Sequence, residues 1–239
     1  GYPLAIEVRE FHAHETRSAT FLATEGFQLH EGLPHPLAAS EPCGIFPVLE
    51  DPMFTVKAMA LNHRVLSFGY ALQEQFHINI NKEKLHAAGL PVGSWLKDVK
   101  QYLWQGQPDA FRFMATLYFE HRREEREFQL GEVRDRFVTI TRGQKIAYVV
   151  DARYDDDNEA KIVELARGAD IFYCEAPYLD RDADKARERY HLTARQAGLM
   201  AKKADVCHLV VFHFSPRYTG QGDTIVREAM ETFAGCATR

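Results

Sequence analysis

No apolar run in this 239-residue chain approaches the roughly 20 residues that a membrane-spanning helix needs. The first residues carry neither the charged head nor the apolar core of a secretory signal. No membrane-spanning helix is expected in these residues, and a cytoplasmic location is expected. Cysteine is sparse: Cys43, Cys174, Cys207 and Cys236 are widely scattered, with no C-x-x-C pair among them. That leaves no small disulfide-framework pattern, and it predicts reduced, buried thiols. Positive charge is not in excess either. The net charge is −5, so the global balance has no nucleic-acid footprint, although a local basic patch is compatible with an acidic average. Internal repeats and low-complexity tracts are missing. The chain begins with Gly rather than Met, which predicts processing, trimming or a fragment.

What is present is a globular composition, 46% hydrophobic and 26% charged, enough for one substantial core. The first eighty residues read as short strands, "LAIEVREF", "SATFLAT", "FTVKAMALN" and "SFGYALQ", separated by Gly, Pro and His-rich turns. Asn81 and Ser94 are expected to cap two short helices that end near Gly89 and Gly106. "PDAFRFMATLYFEHRREERE" runs on without a breaker and predicts a helix, with Arg122, Arg123 and Arg126 among glutamates as a surface ion-pair ladder. "RFVTI" and "KIAYVVD" flank "TRGQ" and predict a hairpin. Helices then alternate with strands through "NEAKIVELARG", "DIFYCE", "DADKARERY", "TARQAGLMAKKA", "VCHLVVFH" and "DTIVREAMETF", which predicts an α/β layered fold.

In such a fold, ligands and catalytic groups gather beyond the carboxyl ends of the strands. Three strands end on a residue that can bind a metal or move a proton: "AYVVD" on Asp151, "IFYCE" on Glu175 and "HLVVFH" on His213. His63 closes "VKAMALNH", and His191 lies between two helices in "ERYHLTARQA". Singly, each is more often a structural histidine held by backbone hydrogen bonds; together, imidazole and carboxylate at strand ends are the donors of a hydrolytic zinc or manganese site. "EFHAHETR" places His12 and His14 at i, i+2, half of an H-x-H-x-D-H, but its Asp-His half is absent. Both histidines read as the polar face of a strand.

"LNHRVLSFGYAL", "AYVVDARY", "ADIFYCEAPYLDRDADKARERYHLTARQAGLMAKKADV" and "LVVFHFSPRY" resemble, in order, consecutive motifs of the ribonuclease Z family, the tRNA 3′-processing endonucleases of the metallo-β-lactamase superfamily. The similarity runs from "YPLAIEV" to "EAMETF". The resemblance implies a metallo-β-lactamase-type αββα sandwich over 1–239, lacking its N-terminal strands, with an arm-like or helical insertion at about 78–132. It implies that His63 ligates one metal, His213 a second, and Asp151 bridges both. His191 would be the proton donor, Ser215 and Arg217 would hold substrate phosphate, and Glu175 would orient an imidazole such as His191. The implied activity is two-metal phosphodiester hydrolysis, with zinc as the first choice and manganese as the second. The implied partners are precursor tRNA and a second copy of the chain as a homodimer, with no membrane.

The chain also departs from the family pattern. The T-H-x-H-x-D-H motif is absent, so each metal would have two protein ligands where a catalytic zinc has three. These residues therefore read as the latter two thirds of a longer protein, inactive alone and holding metal weakly. Asp151-Ala152 stands where the family has Asp-Thr, and residues 81–106 lack the long basic Gly/Pro arm that grips tRNA. Two alternatives stay open: a hydrolase of the same superfamily acting on a small ester or cyclic phosphodiester, and a non-catalytic scaffold.

Overall fold

The structure, a computed structural model, describes residues 4–12, 15–32, 35–36 and 44–234. The strands up to the middle of the chain are Ala5–Phe11 (β1), Glu15–Leu22 (β2), Leu29–Glu31 (β3), His35–Pro36 (β4), Phe46–Glu50 (β5), Phe54–Leu61 (β6), Ser67–Glu74 (β7) and Phe76–Ile80 (β8). Helices Lys82–Ala87 (α1) and Trp95–Trp104 (α2) precede strands Arg112–Tyr118 (β9) and Arg123–Gln129 (β10), helix Leu130–Phe137 (α3) and strands Val138–Arg142 (β11) and Lys145–Val149 (β12). The rest alternates: Asp156–Ala166 (α4), Ile171–Glu175 (β13), Ala183–Arg189 (α5), Ala194–Lys203 (α6), His208–Phe212 (β14) and Gly222–Phe233 (α7). The fold is mixed α/β, as the alternation predicts. Among the described residues no helix is long and apolar enough to cross a membrane.

The chain forms two compact units, residues 1–48, 56–71 and 146–239 in one and residues 49–55 and 72–145 in the other. The first unit contains the antiparallel β1–β2 hairpin, extended by β3 and β4, and the greater part of a sheet ordered β14-β13-β12-β7-β6-β5. β12, β13 and β14 run parallel in register, Val149 beside Cys174 beside Val211, so their carboxyl ends open on one side. Alternate residues Ala147, Val149, Phe172, Cys174, Leu209 and Val211 face a core shared with Ile162, Leu165, Met200 and Ile225 of α4, α6 and α7. Each fully buried Leu, Ile or Phe there contributes about 1.5–3 kcal/mol. Gly198 lets α6 approach α7, since a Cβ at that position would meet the Ala229 carbonyl and the Thr232 Cβ. Thr193 starts α6 with a reciprocal capping box, its Oγ1 accepting from Gln196 N while Gln196 Oε1 accepts from Thr193 N.

The second unit has its own core of Leu85, Trp95, Val99, Phe113, Leu117 and Leu130. Asn81 caps α1 as expected, accepting from Lys84 N at 2.9 Å; Ser94 precedes α2 without a side-chain cap bond.

Residues 108–127 are not the expected helix but the β9–β10 hairpin. Burial alternates with period two, Phe113, Ala115 and Leu117 inside and Arg112, Met114 and Tyr118 outside. The strand face wins over the helix propensity of the Glu/Arg run because Phe113 and Phe128 sit opposite each other and Trp95 stacks on Phe128, centroids 5.2 Å apart. The ion-pair ladder exists along and across strands, as Arg112–Glu127 at 2.8 Å, Arg123–Glu125 at 2.8 Å and Arg126–Glu124 at 2.6 Å. The expected "RFVTI"/"KIAYVVD" hairpin does not form either. β11 pairs with β8, whereas β12 enters the six-stranded sheet, so "TRGQ" is a crossing between sheets. His12 lies past the end of β1, bonding Glu15 O across the hairpin end, and not on a strand face; His14 falls outside the described residues. Cys174 is buried and Cys207 half-buried, both as free thiols, while Cys43 and Cys236 fall outside the described residues.

Candidate metal centre

Four side chains of the first unit, one ending a strand and three in connections, meet at the carboxyl ends of the parallel strands. One ligand atom each from Asp151, Glu175, His191 and His213 lies within 4.8 Å of the others. Glu175, the last residue of β13, is fully buried and is the hub. Its carboxylate accepts from His191 Nδ1 at 3.1 Å and His213 Nδ1 at 3.2 Å, and from the backbone N–H groups of Asp151 at 2.8 Å, Ala152 at 3.3 Å and Leu192 at 3.2 Å. Burial alone would raise this carboxyl above the ordinary range, but the hydrogen bonds from the two imidazoles outweigh it and hold it down to about 2. The same bond raises His213 above the ordinary imidazole value, against a smaller opposing effect of burial. With Nδ1 of both rings turned to Glu175, each keeps Nε2 for a metal or a substrate.

Backbone geometry aims these groups. Asp151 and His213 follow β12 and β14 in the left-handed region, at φ 55° and 61°, as does Tyr190 at φ 65° before His191. Non-glycine residues in this region cost about 1–3 kcal/mol each, and such strain concentrates at functional sites. Asp151 is held at both ends of its peptide unit, by its own N–H to Glu175 and by Ser67 Oγ donating to its carbonyl at 2.7 Å. Its carboxylate is half exposed, 3.8 Å from His213 Nδ1 and 4.0 Å from His191 Nδ1.

His63 stands outside this group of four. Its ring centroid is 5.1 Å from that of His191, and its Nδ1 donates to the Tyr190 carbonyl at 2.8 Å, leaving Nε2 free. Ser215 and Arg217 line a cleft of about 580 Å³ together with His63 and His191. Arg217 N–H reaches Ser215 Oγ at 3.4 Å, and its guanidinium faces Asp182 at 3.5 Å.

Three residues that the sequence patterns did not single out hold the centre together. Ser67 and Tyr190 have been described. Asn158, fully buried on α4, donates from Nδ2 to the carbonyls of Asn62 at 2.8 Å and Arg153 at 2.7 Å, and its Oδ1 accepts from Asn62 N at 2.8 Å. It therefore ties the loop of His63 to the loop of Asp151. Their only signal in sequence is position near a candidate ligand, which propensity does not read. Asn158→Ala would strip the partners from Asn62 N and Arg153 O; we expect a loss of about 2–4 kcal/mol in chemical denaturation, and a change below about 0.5 kcal/mol would refute this account.

No protein-family model matches the chain. Among curated proteins, ribonuclease Z from Trichodesmium erythraeum is 30% identical over 207 residues, 85% of this chain and 56% of that protein. Ribonuclease Z from Nocardia farcinica is 34% identical over 203 residues, 84% of this chain and 56% of that protein. Among solved structures, the short form of human tRNase Z is matched with a TM-score of 0.40 at 22% identity, over 74% of this chain and 42% of that one. A metallo-beta-lactamase fold protein from Bacillus subtilis is matched with a TM-score of 0.43 at 16% identity, over 79% of this chain and 47% of that one. The chain spans about half the length of the curated relatives it matches. Over the aligned residues its sequence is similar to those of ribonuclease Z proteins.

Proposed function

We propose that this chain carries part of the active centre of a metal-dependent phosphodiesterase of the metallo-β-lactamase superfamily, acting endonucleolytically at the 3′ end of precursor tRNA. The observation that carries the reading is the buried Glu175 carboxylate orienting both His191 and His213 beside Asp151, an outer sphere suited to a hydrolytic centre. His63 and His213 would each ligate one ion and Asp151 would bridge the two. The nitrogen and oxygen donors suit zinc first and manganese second. In kind the donors fit; in number they give two protein ligands per ion, so the remaining ligands would come from a T-H-x-H-x-D-H segment outside these residues.

When bound, the ions would acidify a water and polarise the phosphoryl oxygens. His191, its Nδ1 held by Glu175, would present a protonated Nε2 to the leaving 3′-oxygen. The Ser215 hydroxyl and the Arg217 fork would bind the scissile phosphate, and Arg217 would exchange its half-exposed contact with Asp182 for that phosphate.

One observation favours a second reading, a small ester or cyclic phosphodiester as substrate. The cations of the β9–β10 hairpin are already paired with glutamates, so this segment offers no basic arm. A form carrying the T-H-x-H-x-D-H segment, loaded with zinc or manganese, separates the two when given a 3′-extended tRNA and a small chromogenic phosphodiester. Cleavage of the tRNA to a new 3′-hydroxyl end is expected. Cleavage of the small compound alone would transfer the assignment to the second reading, and cleavage of neither would overturn both.

A further inference from the structure

The cleft beside the metal-type cluster has more positive charge than one scissile phosphate requires. Arg64, Lys185, Arg189 and Arg217 line it against a single carboxylate, that of Glu188. Lys185 and Arg217 already face Asp182, at 3.4 and 3.5 Å. Among the described residues, Arg64 and Arg189 have no carboxylate partner, as Arg136 and Arg227 have none, but these two line one cleft; the exposed Arg112 and Arg123 are paired at 2.8 Å with Glu127 and Glu125.

Tyr190 brings these two arginines to one place. It follows Arg189 directly, at the left-handed end of α5, and its ring lies under the Arg64 guanidinium with 5.8 Å from Cζ to the centroid. Stacking occupies the face of the guanidinium and leaves its in-plane N–H donors available, the arrangement that suits an oxyanion. The Tyr190 carbonyl also accepts from His63 Nδ1, so the arginines are anchored to the same residue that orients a candidate metal ligand. Tyr178, half-buried, lines the cleft and adds an aromatic surface on which a base can stack.

We infer that Arg64, stacked on Tyr190, and Arg189 form a second phosphate-binding position adjoining the centre, so that the cleft takes single-stranded nucleic acid with several consecutive phosphates. This rests on the reading of the centre as a phosphodiesterase and names the residues that would select an oligonucleotide over a one-phosphate substrate. Ser215 and Arg217 would hold the phosphate that reacts; Arg64 and Arg189 would hold a neighbour.

The test is binding rather than turnover, on the full chain with a chelator present, using a fluorescent 5′-phosphorylated single-stranded tetranucleotide and a nucleoside 3′-monophosphate as probes. Wild type should bind the tetranucleotide more tightly than the monophosphate. Arg64→Gln with Arg189→Gln should weaken tetranucleotide binding about tenfold at low salt, leave the monophosphate unchanged, and make the salt dependence shallower by about 1.4, two contacts at about 0.7 each. Lys202→Gln, an exposed change outside the cleft, should alter none of these, and far-UV circular dichroism should show the double variant folded. Unchanged tetranucleotide affinity and salt slope in the double variant would overturn the subsite, as would a monophosphate that binds wild type equally well. The two readings fail separately. Absence of cleavage with Arg64- and Arg189-dependent binding would remove the enzyme assignment alone, and cleavage with binding indifferent to both arginines would remove the subsite alone.

Discussion

Glu175→Ala is expected to lower the stability of the metal-free chain by about 3–5 kcal/mol and to lower metal affinity about 10–100-fold, because one buried carboxylate serves five donors. Truncation leaves the Asp151, Ala152 and Leu192 N–H groups without their acceptor around a fully buried side chain, each costing about 1–3 kcal/mol before relaxation. The imidazoles of His191 and His213 lose their orienting acceptor as well. A pH titration of stability adds a signature that simple cavity formation lacks. The Glu175 carboxyl is depressed to about 2 in the folded chain, so its contribution is present above the ordinary carboxyl value near 4.5 and is lost as pH falls towards 2. His213 acts in the other direction: its raised value gives stability below the ordinary imidazole value, lost as pH rises through the folded one. Denaturation in chelator from pH 2 to 8 should show wild type losing stability below about pH 4.5, with that limb flattened in Glu175→Ala. A variant within 1 kcal/mol of wild type, with the same acid limb, would show that the carboxylate is not the hub.

The strand ends were legible in the sequence because a parallel strand buried on its helix-facing side is written as an apolar run, and a polar residue closing it is conspicuous. Asp151, Glu175 and His213 stand out for this reason, and the structure brings them together with His191. The capping signal at Asn81 is similarly local. The β9–β10 hairpin was not legible, because its Glu/Arg run carries high helix propensity and the decisive information is non-local: Phe113 facing Phe128 and Trp95 stacking on Phe128. The pairing of β11 with β8 rather than β12 was hidden for the same reason, since a Gly-containing link fits both a turn and a crossing. Within the centre, the unreadable part is conformational. Nothing in the word Tyr190 announces φ 65°, and nothing in Asn158 announces that it joins the loops of His63 and Asp151. Residue type suggests which groups can do chemistry; the groups that hold them are visible only once the chain is folded.

Asp151→Asn is expected to separate catalysis from folding in a way that Glu175→Ala cannot. The native contacts of Asp151 are made by its backbone, the N–H to Glu175 and the carbonyl from Ser67, and both survive the substitution. Its carboxylate is half exposed and makes no contact shorter than 3.8 Å to either imidazole. The backbone lies at φ 55°, a region in which Asn is as well accommodated as Asp. Stability should therefore change by no more than about 0.5 kcal/mol, a shift of about 2 °C or less in the thermal midpoint for a chain of this size. On the proposed two-ion reading the functional effect should be large, because a neutral amide would supply neither the charge nor the bridging pair of oxygens. In a form carrying the T-H-x-H-x-D-H segment, bound zinc should fall from about two per chain to one or fewer, and hydrolysis should fall by about 10³-fold or more. Metal content by elemental analysis, turnover and the melting midpoint are measured on the same preparation. Full hydrolysis in Asp151→Asn would remove Asp151 from the metal centre and with it the two-ion reading. A large drop in the melting midpoint would instead show that the carboxylate, and not only its backbone, holds the strand-end loop, leaving the loss of turnover without a specific cause.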